Sequence, residues 1–245
     1  MCEKRVFRMN GGNGMQCFEA GNKQGWLKLI GQAEGDRPLV CLLAGDMTQE
    51  RLAEMETILL AQIVQGKCPP LALCGFGPVD WDEDYAPWPL ETPDGRRFGS
   101  GAQATAEYAW EVFLPAVRER FCSNGEVYAV GYSLGGLAAL YAAAQGGYAG
   151  AGSCSGSLWY PGFEEWFGDH LPDCPVYLSL GGKEKNTRDP LMARVEDCTR
   201  AVYDQLRRQN KTAFVHEPGG HFRDTAQRLC NAIVWLLGGQ SVRKA

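Results

Sequence analysis

Val127-Tyr128-Ala129-Val130-Gly131-Tyr132-Ser133-Leu134-Gly135-Gly136 is an apolar, β-like run that enters a G-x-S-x-G motif and passes at once into the small and apolar residues Leu137 to Ala144. A strand that turns sharply into a helix holds the residue at the turn in strained backbone angles. Glycines on either side avoid clashes there and let the helix pack close to the strand. Ser133 then projects its hydroxyl out of the turn as a candidate nucleophile. The Leu134 backbone N–H stands at a helix N-terminus, where it can donate to an oxyanion. A glycine-rich βα turn with an incidental serine would show the same five residues. The strand before the motif, the helix after it and suitable partners later in the chain favour the nucleophile.

Outward from this stretch, from about residue 37, short β-like runs alternate with longer segments of helical period. That alternation predicts an α/β fold, a mostly parallel sheet with helices on both faces. The strand candidates are Leu39–Ala44, Leu71–Cys74, Val127–Gly131, Ala149–Ser153, Val176–Leu180 and Ala213–Glu217. Apolar stripes at helical spacing run through Leu52, Met55, Leu59 and Ile63, and through Ala106, Trp110, Phe113, Val117 and Phe121. Two more run through Leu191, Val195, Cys198, Val202 and Leu206, and through Phe222, Ala226, Leu229, Ile233 and Leu236. In residues 1–36, Gln16–Glu19 and Trp26–Ile30 read as antiparallel edge strands. No repeat, low-complexity tract or linker divides the chain, so residues 1–245 are expected to form one domain.

Composition narrows the functional classes. Across 245 residues, 24 basic against 29 acidic side chains give a formal charge of −5, which lacks the cationic excess that nucleic-acid binding relies on. Met1 to Met15 hold no apolar stretch of the kind a secretory signal needs, and no later run is long enough to span a membrane. The expected protein is soluble and cytoplasmic, with neither nucleic acid nor membrane as partner. Its ten cysteines are scattered singly, with no C-x-x-C pair, and are expected as reduced, mostly buried thiols with no metal site.

A serine hydroxyl needs a base, and the chain offers three histidines. His170 lies in Trp166–Pro175, away from any strand end, and reads as a surface or loop residue. His216 falls inside the last strand run and reads as structural. His221 follows that strand across Pro218-Gly219-Gly220 and can reach the edge of the sheet that presents Ser133, so it is the expected general base. The acid should follow Val176–Leu180, where Glu184 and Asp189 compete. Glu184 comes early in the loop leaving the strand. Asp189 precedes Pro190 and the stripe beginning at Leu191, which gives it an explanation as a helix N-cap and places Glu184 ahead.

With these residues in view, the chain resembles the α/β-hydrolase superfamily, and within it the serine esterases grouped with esterase D-type and enterochelin (siderophore) esterase-like enzymes. The resemblance spans roughly residues 37–240. It is carried by G-Y-S-L-G-G at 131–136 and by Trp81-Asp82-Glu83-Asp84-Tyr85-Ala86-Pro87-Trp88-Pro89. Ser155-Gly156-Ser157-Leu158-Trp159-Tyr160, Leu178–Glu184 and Gly219-Gly220-His221-Phe222 add to it. It implies an eight-stranded sheet with one antiparallel strand, no large cap domain, no cofactor and ester hydrolysis through an acyl-enzyme. Its Gly-x-Lys-Glu block ends on Glu184. Relatives of this kind act on siderophore esters, feruloyl or acetyl groups on sugars, and S-formylglutathione, so the substrate does not follow from membership. The lack of an evident N-terminal domain or export signal points away from extracellular polysaccharide or periplasmic siderophore roles.

The remaining loops supply candidates for binding. Gly45-Asp46-Met47 follows Leu39–Ala44 and corresponds to the loop that gives such folds a second oxyanion donor; the Met47 amide is nominated, with Asp46 as alternative. Asp80, Asp82, Glu83 and Asp84 surround Trp81, Tyr85 and Trp88 beyond a strand end. The cluster reads either as a solvated loop or as a substrate lining. Trp159, with Tyr160, Phe163 and Trp166, lines the opposite side or packs as core or lid. The sequence thus predicts a serine hydrolase acting on a small-molecule carboxylic ester. A thioester hydrolase of the S-formylglutathione type and an inactive binding protein on the same fold are the alternatives.

Overall fold

The computed structural model describes residues 14–33, 35–45, 47–121, 124–209 and 211–238. Asp46, the stretch 1–13 and two of the ten cysteines counted above, Cys2 and Cys122, lie outside them. The chain opens with β1 (Met15–Ala20), β2 (Lys23–Ile30), β3 (Leu39–Leu43), α1 (Gln49–Val64), β4 (Leu71–Gly77) and a single turn α2 (Trp81–Asp84). A short hairpin, β5 (Leu90–Glu91) and β6 (Arg97–Phe98), leads to α3 (Ala102–Tyr108), a π-helical turn over Ala109–Phe113 and α4 (Leu114–Phe121). Then come β7 (Val127–Tyr132), α5 (Leu134–Ala144), β8 (Gly150–Cys154), α6 (Phe163–Asp169), β9 (Val176–Gly181), α7 (Val195–Leu206), β10 (Thr212–Glu217) and α8 (Thr225–Gly238).

Eight strands form one sheet in the order β1-β2-β4-β3-β7-β8-β9-β10. From β4 to β10 every neighbouring pair is parallel. β2 is antiparallel to both β1 and β4, so it alone runs against the rest. The sequence reading made both N-terminal strands antiparallel to the core. β1, reversed a second time by the tight turn before β2, runs with the core instead.

The inner parallel strands β3, β4, β7, β8 and β9 are buried along almost their whole length because both faces are covered. Along β7, Val127 and Ala129 enter one core while Tyr128, Val130 and Tyr132 enter the other. The second core takes Leu52, Met55 and Leu59 of α1 together with Leu229, Ile233 and Leu236 of α8. The first takes Phe113, Val117, Leu137 and Val202 from the helices of the opposite face. α5 is buried on nearly every side, which its run of small and apolar residues permits.

Two expected stripes need correction. Trp110 is about a third exposed, because the π turn adds a residue to the helical period and Ala109 takes the inward place. Phe222 is 89% exposed and precedes α8, because Asp224 at φ 52° breaks the helical path before Thr225.

Candidate active site

β7, β9 and β10 run parallel, with β8 between β7 and β9, and the turns that leave their C-terminal ends carry Ser133, Glu184 and His221. Ser133 follows β7 directly with φ 57° and ψ −124°, a conformation that side-chain-bearing residues rarely adopt. The flanking glycines explain how the turn closes. A Cβ at Gly131 would stand 1.9 Å from the Gly135 carbonyl oxygen, and one at Gly135 would stand 1.8 Å from that of Leu43. Both obstacles are main chain and cannot rotate away. Leu134 is the first residue of α5, so its N–H has no acceptor within the helix.

His221 places Nε2 at 3.0 Å from Ser133 Oγ and Nδ1 at 2.7 Å from Glu184 Oε2. The other oxygen, Oε1, accepts from the Gly181 N–H at 2.6 Å, the Ser155 hydroxyl at 2.7 Å and Arg228 Nη1 at 2.9 Å. Burial is the largest influence on Glu184 and pushes its pKa up. The hydrogen bonds from His221 and Ser155 outweigh it and hold the carboxyl below its ordinary range. Asp189 is not part of this chain. Its Oδ1 accepts the N–H groups of Leu191 at 2.8 Å and Met192 at 3.0 Å, the capping role that the following proline suggested.

The other two histidines lie elsewhere. His170 ends α6 and stacks on Trp166. His216 is half-exposed on β10, with Nε2 3.4 Å from Glu196.

Ser133 and His221 open onto a cavity of about 540 Å³, whose apolar wall includes Trp81, Phe98, Trp159, Met192 and Phe222. Of the aromatic residues expected to bind substrate, Trp81 and Trp159 line it. Tyr85 and Trp88 do not. Tyr85 is 1% exposed within the core, with its ring edge-on to Trp81. Trp88 packs against Tyr160 and Trp166, and its indole N–H donates to the Pro161 carbonyl at 2.9 Å.

The acidic cluster is spent on local structure: Asp80 caps α2, Asp82 pairs with Arg96, and Asp84 accepts from Lys23 at 3.2 Å. Met47 is half-buried against the second core. Sequence reasoning missed Phe98, Met192, Phe222 and Arg228. Phe98 lies on a two-residue strand and Met192 in a single 3-10 turn, neither with a periodic signal, Phe222 was read into the apolar stripe of the last helix, and Arg228 is the one cation of α8. Among the described residues no group of three or more His, Cys, Asp or Glu side chains is placed to hold a metal ion.

Comparison with known proteins follows the same lines. The chain is 26% identical over 192 residues to the uncharacterized protein YbbA of Bacillus subtilis (strain 168), covering 71% of this chain and 76% of that one. Among solved structures it resembles an IroE-like serine hydrolase from Shewanella oneidensis, with TM-score 0.76 and 18% identity. That match covers 91% of this chain and 79% of the other. The siderophore hydrolase EstA from Aspergillus nidulans superposes with TM-score 0.70 at 17% identity, over 98% of this chain and 100% of its own. The model of the family described as "Putative esterase" matches residues 30–225. That span takes in the six mutually parallel strands β3, β4, β7, β8, β9 and β10 and all three of the side chains that meet at the sheet edge. The chain therefore belongs to this esterase family and is an ester hydrolase on the α/β-hydrolase fold.

Proposed function

We propose that this chain cleaves carboxylic esters through an acyl-enzyme on Ser133, with His221 as general base and acid and Glu184 as the orienting carboxylate. Ser133 Oγ attacks the ester carbonyl carbon while its proton passes to His221 Nε2. The charge that develops on the carbonyl oxygen is met by the Leu134 and Met47 amides. Met47 is assigned the second place because β3 lies beside β7, with Leu43 paired to Gly131, so the loop leaving β3 starts next to the serine turn. Collapse breaks the ester C–O bond, and His221 returns the proton to the departing alcohol. Water then attacks the acyl group by the same route, its proton going to His221 and the released Ser133 recovering one.

The observation that carries this reading is the continuous pair of hydrogen bonds from Ser133 Oγ to His221 and from His221 to Glu184. The cavity's aromatic wall, with Trp81, Phe98 and Trp159, favours an ester with a sizeable apolar or aromatic part. For the compartment we keep the cytoplasmic reading, with which the eight free cysteines among the described residues, seven of them buried, are consistent.

A fluorophosphonate probe tests the mechanism: the wild type should label and Ser133→Ala should not, with kcat falling on the order of 10⁶-fold. Near-wild-type esterase activity in Ser133→Ala would refute the assignment, and a wild type that neither labels nor turns over any ester would leave a binding protein. A panel of acyl esters with varied alcohols, including a siderophore-type ester and a thioester, then ranks substrates by kcat/KM.

A further inference from the structure

Arg228, in the first turn of α8, is 1% exposed and is the bulkiest fully buried side chain among the described residues. A buried guanidinium must find acceptors for its donors, and the acceptors here all belong to the catalytic edge. Nη1 lies 2.9 Å from Glu184 Oε1, 2.7 Å from Ser155 Oγ and 3.2 Å from the Tyr132 hydroxyl. Nη2 donates to the carbonyls of Pro218 at 2.9 Å and Gly220 at 3.0 Å.

These contacts complete a pattern in the loop that carries His221. Five consecutive carbonyls, 217 to 221, each receive a donor. Glu217 and Gly219 take the N–H groups of Gly182 at 2.9 Å and Lys183 at 3.0 Å, from the turn that leads to Glu184. Pro218 and Gly220 take Arg228, and His221 takes the Tyr132 hydroxyl. On the acid side, Arg228, Ser155 and the Gly181 N–H fill Oε1, which leaves Oε2 for the imidazole. Gly181 makes room for this: a Cβ there would meet Gly219 O at 2.6 Å and Arg228 Nη2 at 2.9 Å.

We propose that Arg228 is a positioning residue of the hydrolysis, one guanidinium fork that holds the Glu184 carboxylate and the His221 loop in fixed relation. The proposal rests on reading Ser133, His221 and Glu184 as the catalytic groups. A lysine would keep the buried charge, but its single nitrogen cannot stand at both the Nη1 place beside Glu184 and the Nη2 place beside the Pro218 and Gly220 carbonyls. Charge and geometry can therefore be separated experimentally.

The test measures kcat, KM and thermal melting of Arg228→Lys, Arg228→Gln, Glu184→Gln and the double variant Arg228→Lys/Glu184→Gln. It also follows the downfield proton signal of the imidazole Nδ1–H by NMR. Arg228→Lys should stay folded with KM within about two-fold of wild type, while kcat falls on the order of 100-fold and the Nδ1–H signal moves or broadens. The double variant should be no worse than Glu184→Gln, because the two residues act as one unit. Wild-type kcat in a folded Arg228→Lys or Arg228→Gln would overturn the proposal. So would losses that multiply in the double variant, since a general structural role would then be separate from the acid. A Ser133→Ala control keeps the readings apart: residual wild-type activity there removes the catalytic assignment itself, whereas an inactive Ser133→Ala beside an active Arg228→Lys removes only the role of the arginine.

Discussion

Ser133 at φ 57° pays for its exposed hydroxyl with backbone strain on the order of 1–3 kcal/mol, and only close packing of the turn sustains it. That packing depends on glycine. Gly135→Ala would drive a methyl group into the Leu43 carbonyl, 1.8 Å away, so we expect a loss of more than about 3 kcal/mol or no soluble protein. Gly220, one residue before His221, has nothing within 4 Å of its would-be Cβ, and Gly220→Ala should melt within about 1 kcal/mol of wild type. Parallel denaturant melts test the contrast, and equal stabilities would mean that the serine turn is looser than described. Ser133, His221 and Glu184, the three side chains that meet at the sheet edge, were legible as a group because each lies past a strand end in the expected chain order. Arg228 was not. A lone cation in a helix reads as a solvated flank unless the volume facing it is known to be polar, and periodicity carries no such information.

At the scale of elements, the two acids after β9 divide: Glu184 faces the His221 imidazole, and Asp189 caps the turn that begins at Leu191. Asp189→Asn should keep activity and stability, since an amide oxygen also caps well, while Asp189→Ala should lose about 1 kcal/mol with kcat intact. A collapse of kcat in Asp189→Asn would reverse the division. The aromatic loops divide in the same manner. The sequence placed Trp81, Tyr85 and Trp88 together beyond a strand end, which is correct for the segment but silent on direction. The single turn of α2 sends Trp81 to the cavity and Tyr85 to the core, and Trp88 is left to anchor the 160–163 segment. Trp88→Ala should therefore cost about 2 kcal/mol of stability with KM unchanged, whereas Phe222→Ala, at the exposed rim, should alter KM and leave the melt alone. Kinetics on the ester panel together with melts decide both. The inner parallel strands were read to within a few residues because both-face burial writes them as nearly continuous apolar runs, whereas the two-residue strands β5 and β6 were not read at all. The π turn and the break at Asp224 escaped because each displaces a helical stripe without changing its composition.

Across the whole molecule, acid stability turns on carboxylates that the fold holds ionised, and Glu196 is the clearest of them. It stands in the first turn of α7, with Lys185 at 2.9 Å and Arg200 at 3.0 Å, and His216 of β10 lies 3.4 Å away. Hydrogen bonds from Lys185 and then Arg200 lower its pKa to about 2. The unfolded chain should titrate it near the ordinary glutamate value, about 4.3. Because the folded pKa is the lower one, the stabilisation is fully present above about pH 4.5 and is lost as pH falls toward 2. The site is near the surface and open to salt, so the contribution is about 1 kcal/mol, well below what the full shift would give. Glu196→Gln should accordingly melt below wild type at pH 7, and the gap should close progressively between about pH 4.5 and pH 2 and narrow in high salt. Paired melts across that range are the measurement. A gap that stays constant down to pH 2 would mean that Glu196 contributes through packing alone, and that the link between α7, β10 and the turn bearing Glu184 is not electrostatic.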